Sequence, residues 1–532
     1  MKSNLIKYIF AIIVIGLAIF SIYLIYGKQE KEEKNTIIEE TIQDVEIIDN
    51  IRIPIVNFDT INPILSNNKH VQSITRLVYE PLLNIDENYK IQLYLAKEWS
   101  KVNKESYVIK LKENIQFSDG NNLTAKDVQF TIDRLKDENI QSIYSYNVQN
   151  VISVEVIDDT TIRINLNKEV PFFEYNLTFP IMSHKYFENE NFVNTTKNIS
   201  PVGTGQYIVT NENGNIVLKQ NRKWWNSNGN DVKLKEIHIV EYANMGETYK
   251  AFKLGNIDLI STNSLDIEDY IGTIGYNAKE YKGRKLDYIA FNCENEELQN
   301  HEVRQSISYA IDKQNIVSAI YKGKYYISNF ALDYGNYLYD DGKIVYEYNI
   351  DKAKSILEEN GWEYKYKTWQ KVKNYRTMRL RFNLVVNSSN EKRVQVAENI
   401  KNSLEELGIK INIIKANDNT YKRYLENKNY DIILTGKYLP FSPDLETYFG
   451  ENNLANYNND EAKRLINEIN NISDEEGLRE KYSQLIDIYK ADIPYVYLYY
   501  NRETLICSPK LIGDIKPNSY NLFYNIGTWY RQ

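Results

Sequence analysis

Four histidines, two cysteines and a scatter of carboxylates are the residues on which hydrolytic, redox or metal chemistry would have to rest. His70, His184, His238 and His301 stand far apart in sequence, and none has a second ligand at the helical or loop spacing that a metal site uses. Each reads as a structural or surface histidine, so no metal and no other cofactor is expected. Cys293 and Cys507 lie in apolar, strand-like surroundings and read as two buried free thiols, although pairing cannot be deduced from sequence. No His-Glu-x-x-His, Cys-x-x-Cys, Gly-x-Ser-x-Gly or Walker pattern is present. Pro201-Val-Gly-Thr-Gly205 has the glycines of a phosphate loop without the lysine that should follow, and 206–210 continues as a strand, so a tight structural turn is expected there. With no carboxylate pair singled out by its setting, the chain is not expected to be an enzyme.

The elements that would have to position any site are better marked. The chain has 532 residues, 42% hydrophobic and 26% charged, as in a folded protein of roughly three domains. Its net charge, 64 − 72 = −8, comes with both signs mixed, which excludes the concentrated positive surface that nucleic acid requires. The 45 tyrosines accompany an abundance of Asn, Ile and Lys and read as compositional bias. Residues 8–26 are apolar or small, long enough to cross a hydrocarbon core of about 30 Å. They lack a small-residue cleavage site, so an uncleaved N-terminal membrane helix at 1–27 with a polar tether at 28–45 is expected.

From residue 46 onward the pattern is globular. Strand-like alternation at 107–112 and 161–166 flanks a helix that begins after Thr124, with Val128, Ile132 and Leu135 on one face. The stretch 379–443 reads β-α-β-α-β: strand 379–386, helix 391–407 closed by Gly408, strand 409–414, helix 420–427, strand 430–434. Such units form parallel sheets whose ligands sit beyond the carboxyl ends of the strands, so the loops 387–390, 415–419 and 436–446 are the ones to watch. A short helix at 247–254, Gly255 and a strand at 257–260 suggest a second α/β unit.

Several segments, in order, resemble the extracellular solute-binding protein family 5, the peptide- and nickel-binding receptors of ABC importers. They are Thr60-Ile-Asn-Pro63 with Leu77-Val-Tyr-Glu-Pro-Leu-Leu83, Leu95-Ala-Lys-Glu-Trp99, Phe117-Ser-Asp-Gly120 with Leu123-Thr-Ala-Lys-Asp-Val128, and Pro201-Val-Gly-Thr-Gly-Gln-Tyr207. Leu218-Lys-Gln-Asn221 with Trp225, Gly255-Asn-Ile-Asp258, and the run from Val303 to Asp312 continue the series. The resemblance implies an α/β, type II periplasmic-binding-protein fold: two lobes with a hinge and an extra α+β subdomain. Mapped on this chain, lobe I would comprise about 46–75, 200–283 and 491–532, the extra subdomain 76–199 and lobe II 284–490. The chain would cross between lobes near 288–292 and 494–500.

In peptide-binding relatives the loop corresponding to 436–446 resembles Gly-Trp-x-x-Asp, whose aspartate pairs with the peptide's α-amino group. Here it is Gly436-Lys-Tyr-Leu-Pro-Phe-Ser-Pro-Asp444, with Pro440 or, after a one-residue slip, Phe441 where the aspartate should stand. Neither can hold an ammonium through a carboxylate, which weakens a free N-terminal peptide as the ligand. Asp444 is near enough to substitute, although a later acidic residue is common in the family pattern. The ligand-binding residues expected are Tyr438, Pro440, Phe441 and Asp444, with Asn387 and Asn390 on the neighbouring loop. The function implied is capture of a peptide-like solute on the outer face of the cytoplasmic membrane by a monomer that delivers it to ABC permease subunits. The alternatives are a membrane-tethered sensor or a receptor for a non-peptide solute such as a metal chelate. An exported hydrolase would need a nucleophile or metal site that the sequence does not offer.

Overall fold

The computed structural model describes residues 47–532, apart from 228–231, 273–274, 333–334, 340–342, 344–345 and 473, together with Gly16 and residues 20–22. The expected membrane helix and tether lie almost entirely outside the described residues, among which no helix is long and apolar enough to cross a membrane.

The 379–443 stretch folds as its periodicity dictates. Helix Glu391–Leu407 buries Val396, Ala397, Ile400, Leu404 and Leu407, the i, i+4 stripe that must face a sheet, and Gly408 closes it at φ 98°. Strand Arg381–Asn387 lies parallel to Lys410–Ala416 on one side and to Ile432–Tyr438 on the other. The last strand runs beyond residue 434 because Gly436, Lys437 and Tyr438 pair with Asp287, Leu286 and Lys285 of the long strand Asn277–Phe291. That strand in turn pairs antiparallel with Tyr495–Cys507, which also receives Leu259–Thr262.

A second sheet sets Asn50–Val56 parallel to Glu236–Tyr242, followed by Asn215–Gln220 and Tyr207–Glu212. A third, antiparallel, contains Ala96–Asn103, Ser106–Leu111, Thr161–Leu166 and Val151–Val156. Helix Ala125–Lys136 packs on this sheet from a Thr124–Asp127 capping box, burying Val128, Ile132 and Leu135.

The buried apolar residues divide along the same lines. One cluster joins residues from Ile51 to Ile239 with Leu505, Cys507, Leu511, Phe523 and Trp529. Two others, one on each face of the central sheet, run from Leu286 to Tyr500. The two long strands stay paired with each other across this division, their register shifting between residues 282 and 286 and between 500 and 502. Many of the tyrosines do more than the compositional reading allowed: Tyr288, Tyr448, Tyr495 and Tyr497 form a buried nest with ring centroids 5.5–5.8 Å apart. Cys293 and Cys507 are both free thiols, the first half-buried and the second buried.

The Pro201–Gly205 segment is a structural turn, as expected. The Gly205 N–H donates to the Val78 carbonyl at 2.9 Å, and a Cβ on Gly203 would overlap that same carbonyl. Because the obstacle is backbone, Gly203→Ala is expected to cost about 1–3 kcal/mol or more. Differential scanning calorimetry checks this, and an unchanged melting temperature would contradict the packing.

Candidate functional site

Between the two bodies of core lie two adjoining cavities separated by the loop that follows strand Ile432–Tyr438. The larger, about 420 Å³, has Ile53, Ile74, Leu259 and Phe523 of the first cluster on one side and Arg284, Tyr438, Leu439 and Phe441 on the other. The smaller, about 300 Å³, is lined by Asn336, Lys437, Pro440, Asp444 and Tyr448 and shares Arg284, Tyr438, Leu439 and Phe441 with the first. Both volumes lie at the lower end of the range typical of small-molecule sites.

The partition between them is a cation sandwiched by aromatic rings. The Arg284 guanidinium lies 4.9 Å from the Tyr89 ring centroid and 4.7 Å from that of Phe441, and it donates to the carbonyls of Leu439 and Pro440. The Leu439 N–H returns a bond to the Arg284 carbonyl at 2.9 Å. Phe441 also meets Tyr520 edge-on at 5.1 Å, and Arg76 stacks over Tyr520 at 4.1 Å. Burial pulls the Arg284 guanidinium below its usual range, partly offset by the neighbouring phenols of Tyr89 and Tyr500. The loop is thus pinned at three points of the fold by one continuous stack.

In the smaller cavity burial acts on a pair of opposite charges. It pushes the Asp444 carboxyl up, against the Glu446 N–H and Lys437, and pulls the Lys437 ammonium down, against Asp444. One Asp444 oxygen takes the Glu446 N–H at 2.9 Å, and the Tyr448 hydroxyl at the back of the cavity is buried without a hydrogen-bond partner.

The comparisons decide what this cleft belongs to. The model of the family "bacterial extracellular solute-binding proteins, family 5 Middle" matches residues 90–460. This chain belongs to that family. The family 5 receptor is 23% identical to the oligopeptide-binding protein OppA of Bacillus subtilis, over 94% of this chain and 93% of that protein. Its fold is similar to that of HbpA2 from Haemophilus parasuis (TM-score 0.76, 21% identity, covering 91% of this chain and 100% of that one). It is also similar to that of NikZ from Campylobacter jejuni in complex with Ni(L-His) (TM-score 0.60, 23% identity, 91% and 99%). The receptor is accordingly an extracellular solute-binding protein of mixed α/β architecture.

Of the residues singled out from sequence, Tyr438, Pro440, Phe441 and Asp444 meet at the two cavities. Asn387 and Asn390 are placed elsewhere. Asn387 donates to Asp418 at 2.9 Å and accepts the Ser389 N–H, and Asn390 caps helix Glu391–Leu407 by taking the Arg393 N–H. Their side chains are consumed by the turn, and neither lines either cavity.

One cavity residue, Glu503, carries no signal in the sequence, and a second, His70, reads there as a structural or surface histidine. His70, in helix Lys69–Thr75, faces the larger cavity, where burial and Lys69 lower its pKa to about 4, leaving a neutral imidazole. Glu503, on strand Tyr495–Cys507, lines the same cavity. Another perturbed carboxylate, Glu80, is pushed to about 7 by burial, but its oxygens are taken by the Trp224 and Trp225 indoles at 2.8 and 2.6 Å. That arrangement ties two chain segments together and leaves nothing for a ligand.

Proposed function

We propose that this family 5 receptor captures a peptide or peptide-like solute between two lobes outside the membrane and passes it unchanged to an ABC permease. The observation that carries this reading is the larger cavity, walled by residues from separate hydrophobic cores at the point where the two long strands shift register. The fold is read as type II, with lobe I at about 46–75, 200–283 and 491–532, an extra subdomain at 76–199 and lobe II at 284–490. The crossing then falls at 283–285 and 501, a few residues before and after the positions expected from sequence, because pairing is interrupted there and resumes on both sides. Closure about these residues is a population shift driven by contacts that exist only with ligand in place.

Several contacts already join the extra subdomain to lobe II: the Tyr337 N–H donates to the Asn88 carbonyl at 3.1 Å, and Lys90 pairs with Glu475 at 2.5 Å. They lie on the hairpin Leu83–Leu93 and move with it on opening.

A second reading, a metal chelate, is favoured by one feature. His70 presents a neutral imidazole to the larger cavity, suited to an open coordination position on a chelated ion. Native mass spectrometry of the purified full-length chain separates the two. A retained mass resolving into residue increments supports the peptide reading, and a mass with a metal isotope pattern supports the chelate. A cleft that stays empty against broad libraries of both overturns capture altogether.

A further inference from the structure

Strand alternation decides which side chains of Tyr495–Cys507 reach the cleft. Arg502, 1% exposed, turns to the opposite face and pairs with Glu280 there. Glu503 and its cross-strand neighbour Tyr281 therefore share the face that lines the larger cavity. Among the described residues the Glu503 carboxylate has no cation within ion-pair distance; its side-chain partner is Asn501, whose Nδ2 donates to Oε1 at 2.9 Å. The other charged groups facing this cavity are Lys69, which is exposed, and Arg284, which is committed to the Leu439 and Pro440 carbonyls. A partly buried carboxylate without a close cation is costly unless something charged comes to it, and burial pushes the Glu503 carboxyl above its usual range against the weaker pull of Lys69, Asn501 and Arg502.

A second polar group points the same way. The Ser519 hydroxyl, from the segment that closes the cavity on its far side, is buried with no hydrogen-bond partner. A carboxylate on one side and an unused hydroxyl oxygen on the other, with Ser261 and Asn263 also lining the cavity, make an acceptor-rich wall around it. An ammonium or guanidinium group is the complement of such a wall.

We infer that Glu503 is the anchor for a cationic group of the solute, doing from the hinge strand what Pro440 cannot do from the loop. This rests on the peptide reading and refines it: the solute enters with its positive end in the larger cavity against lobe I, and the rest of it extends toward the smaller cavity past the Arg284 partition. The positive group is either a free α-amine or a basic side chain, and the two sources are experimentally separable.

The probes are three C-terminally amidated tetrapeptides, Ala-Ala-Ala-Ala, its N-acetylated form and N-acetyl-Ala-Lys-Ala-Ala, titrated by isothermal calorimetry into the full-length chain and into Glu503→Gln and Asp444→Asn. The wild type is expected to bind a cationic probe about 10- to 100-fold more tightly than the uncharged one, the span of a single charge-assisted contact. Preference for Ala-Ala-Ala-Ala identifies the α-amine, and preference for the lysine probe identifies a side chain. Glu503→Gln, which keeps shape and the Asn501 contact, is expected to reduce that preference to about twofold or less. Loss in Asp444→Asn with retention in Glu503→Gln overturns the assignment. Equal binding of charged and uncharged probes by the wild type also overturns it while leaving peptide capture standing. No binding of any probe removes both.

Discussion

Asp287→Asn is expected to destabilise the receptor by about 3–5 kcal/mol, the usual consequence of leaving one half of a buried ion pair alone. Asp287 sits on strand Asn277–Phe291 and takes two donors from Arg393 of helix Glu391–Leu407, at 2.6 and 2.9 Å, with side-chain exposures of 7% and 10%. Tyr499 adds a hydroxyl at 3.4 Å. Asparagine would keep the volume but offer one acceptor to a guanidinium that has no route to water. Gly436 is part of the same arrangement, since a Cβ there would overlap both the Arg393 guanidinium and the Asp287 carboxylate. The charge pair therefore requires that glycine at the root of the 436–446 loop.

Calorimetric melting of the full-length chain checks the expectation, with a drop of about 10 °C or more in the transition of the 284–490 region. The double variant Asp287→Leu with Arg393→Met should regain most of the loss, because it removes both charges instead of stranding one. A single variant as stable as the wild type would show that the guanidinium finds other partners.

The second large effect is expected at Arg284. Arg284→Lys keeps the charge but gives up the planar group that fits between Tyr89 and Phe441 while reaching two carbonyls at once. Each hydrogen bond from a charged donor is worth about 1.5–3 kcal/mol, and each stacked ring about 0.5–2 kcal/mol. Releasing the loop should therefore weaken solute binding by about 10- to 100-fold, with a small change in melting temperature beside it. Arg284→Ala should be at least as severe. Calorimetric titration after ligand removal measures both, and a lysine variant with wild-type affinity would mean that the loop holds its course without the sandwich.

The β-α-β-α-β unit was readable because each of its parts is local. The apolar stripe of 391–407 and the glycine after it need no knowledge of the rest of the chain. The carboxyl-end rule then pointed to 436–446, and the loop does border both cavities. The same rule also nominated 387–390, where the side-chain oxygens of Asn387 and Asn390 take the Ser389 and Arg393 N–H groups and neither residue lines either of the two cavities. The extension of the last strand to Tyr438 escaped notice because it depends on residues 285–287, some 150 positions away in the register. Glu503 carries no local mark, and His70 reads as an ordinary structural histidine, for a related reason. Each stands alone among unremarkable neighbours, and only the meeting of helix Lys69–Thr75 with the far end of the chain brings both to the lining of one cavity. The tyrosine nest was hidden by an overall abundance that made each member look ordinary.

The first hydrophobic cluster is assembled from both ends of the chain: Ile51, Ile53 and Ile55 share it with Phe523, Ile526 and Trp529, and Ile48 bridges to Arg531. About 470 residues separate these partners along the chain. The first cluster consequently has no finished interior until residues 505–529 have been made, and the two clusters of the central sheet wait for residues 493–500. A product cut short before residue 493 would leave all three interiors unsealed and open to proteolysis.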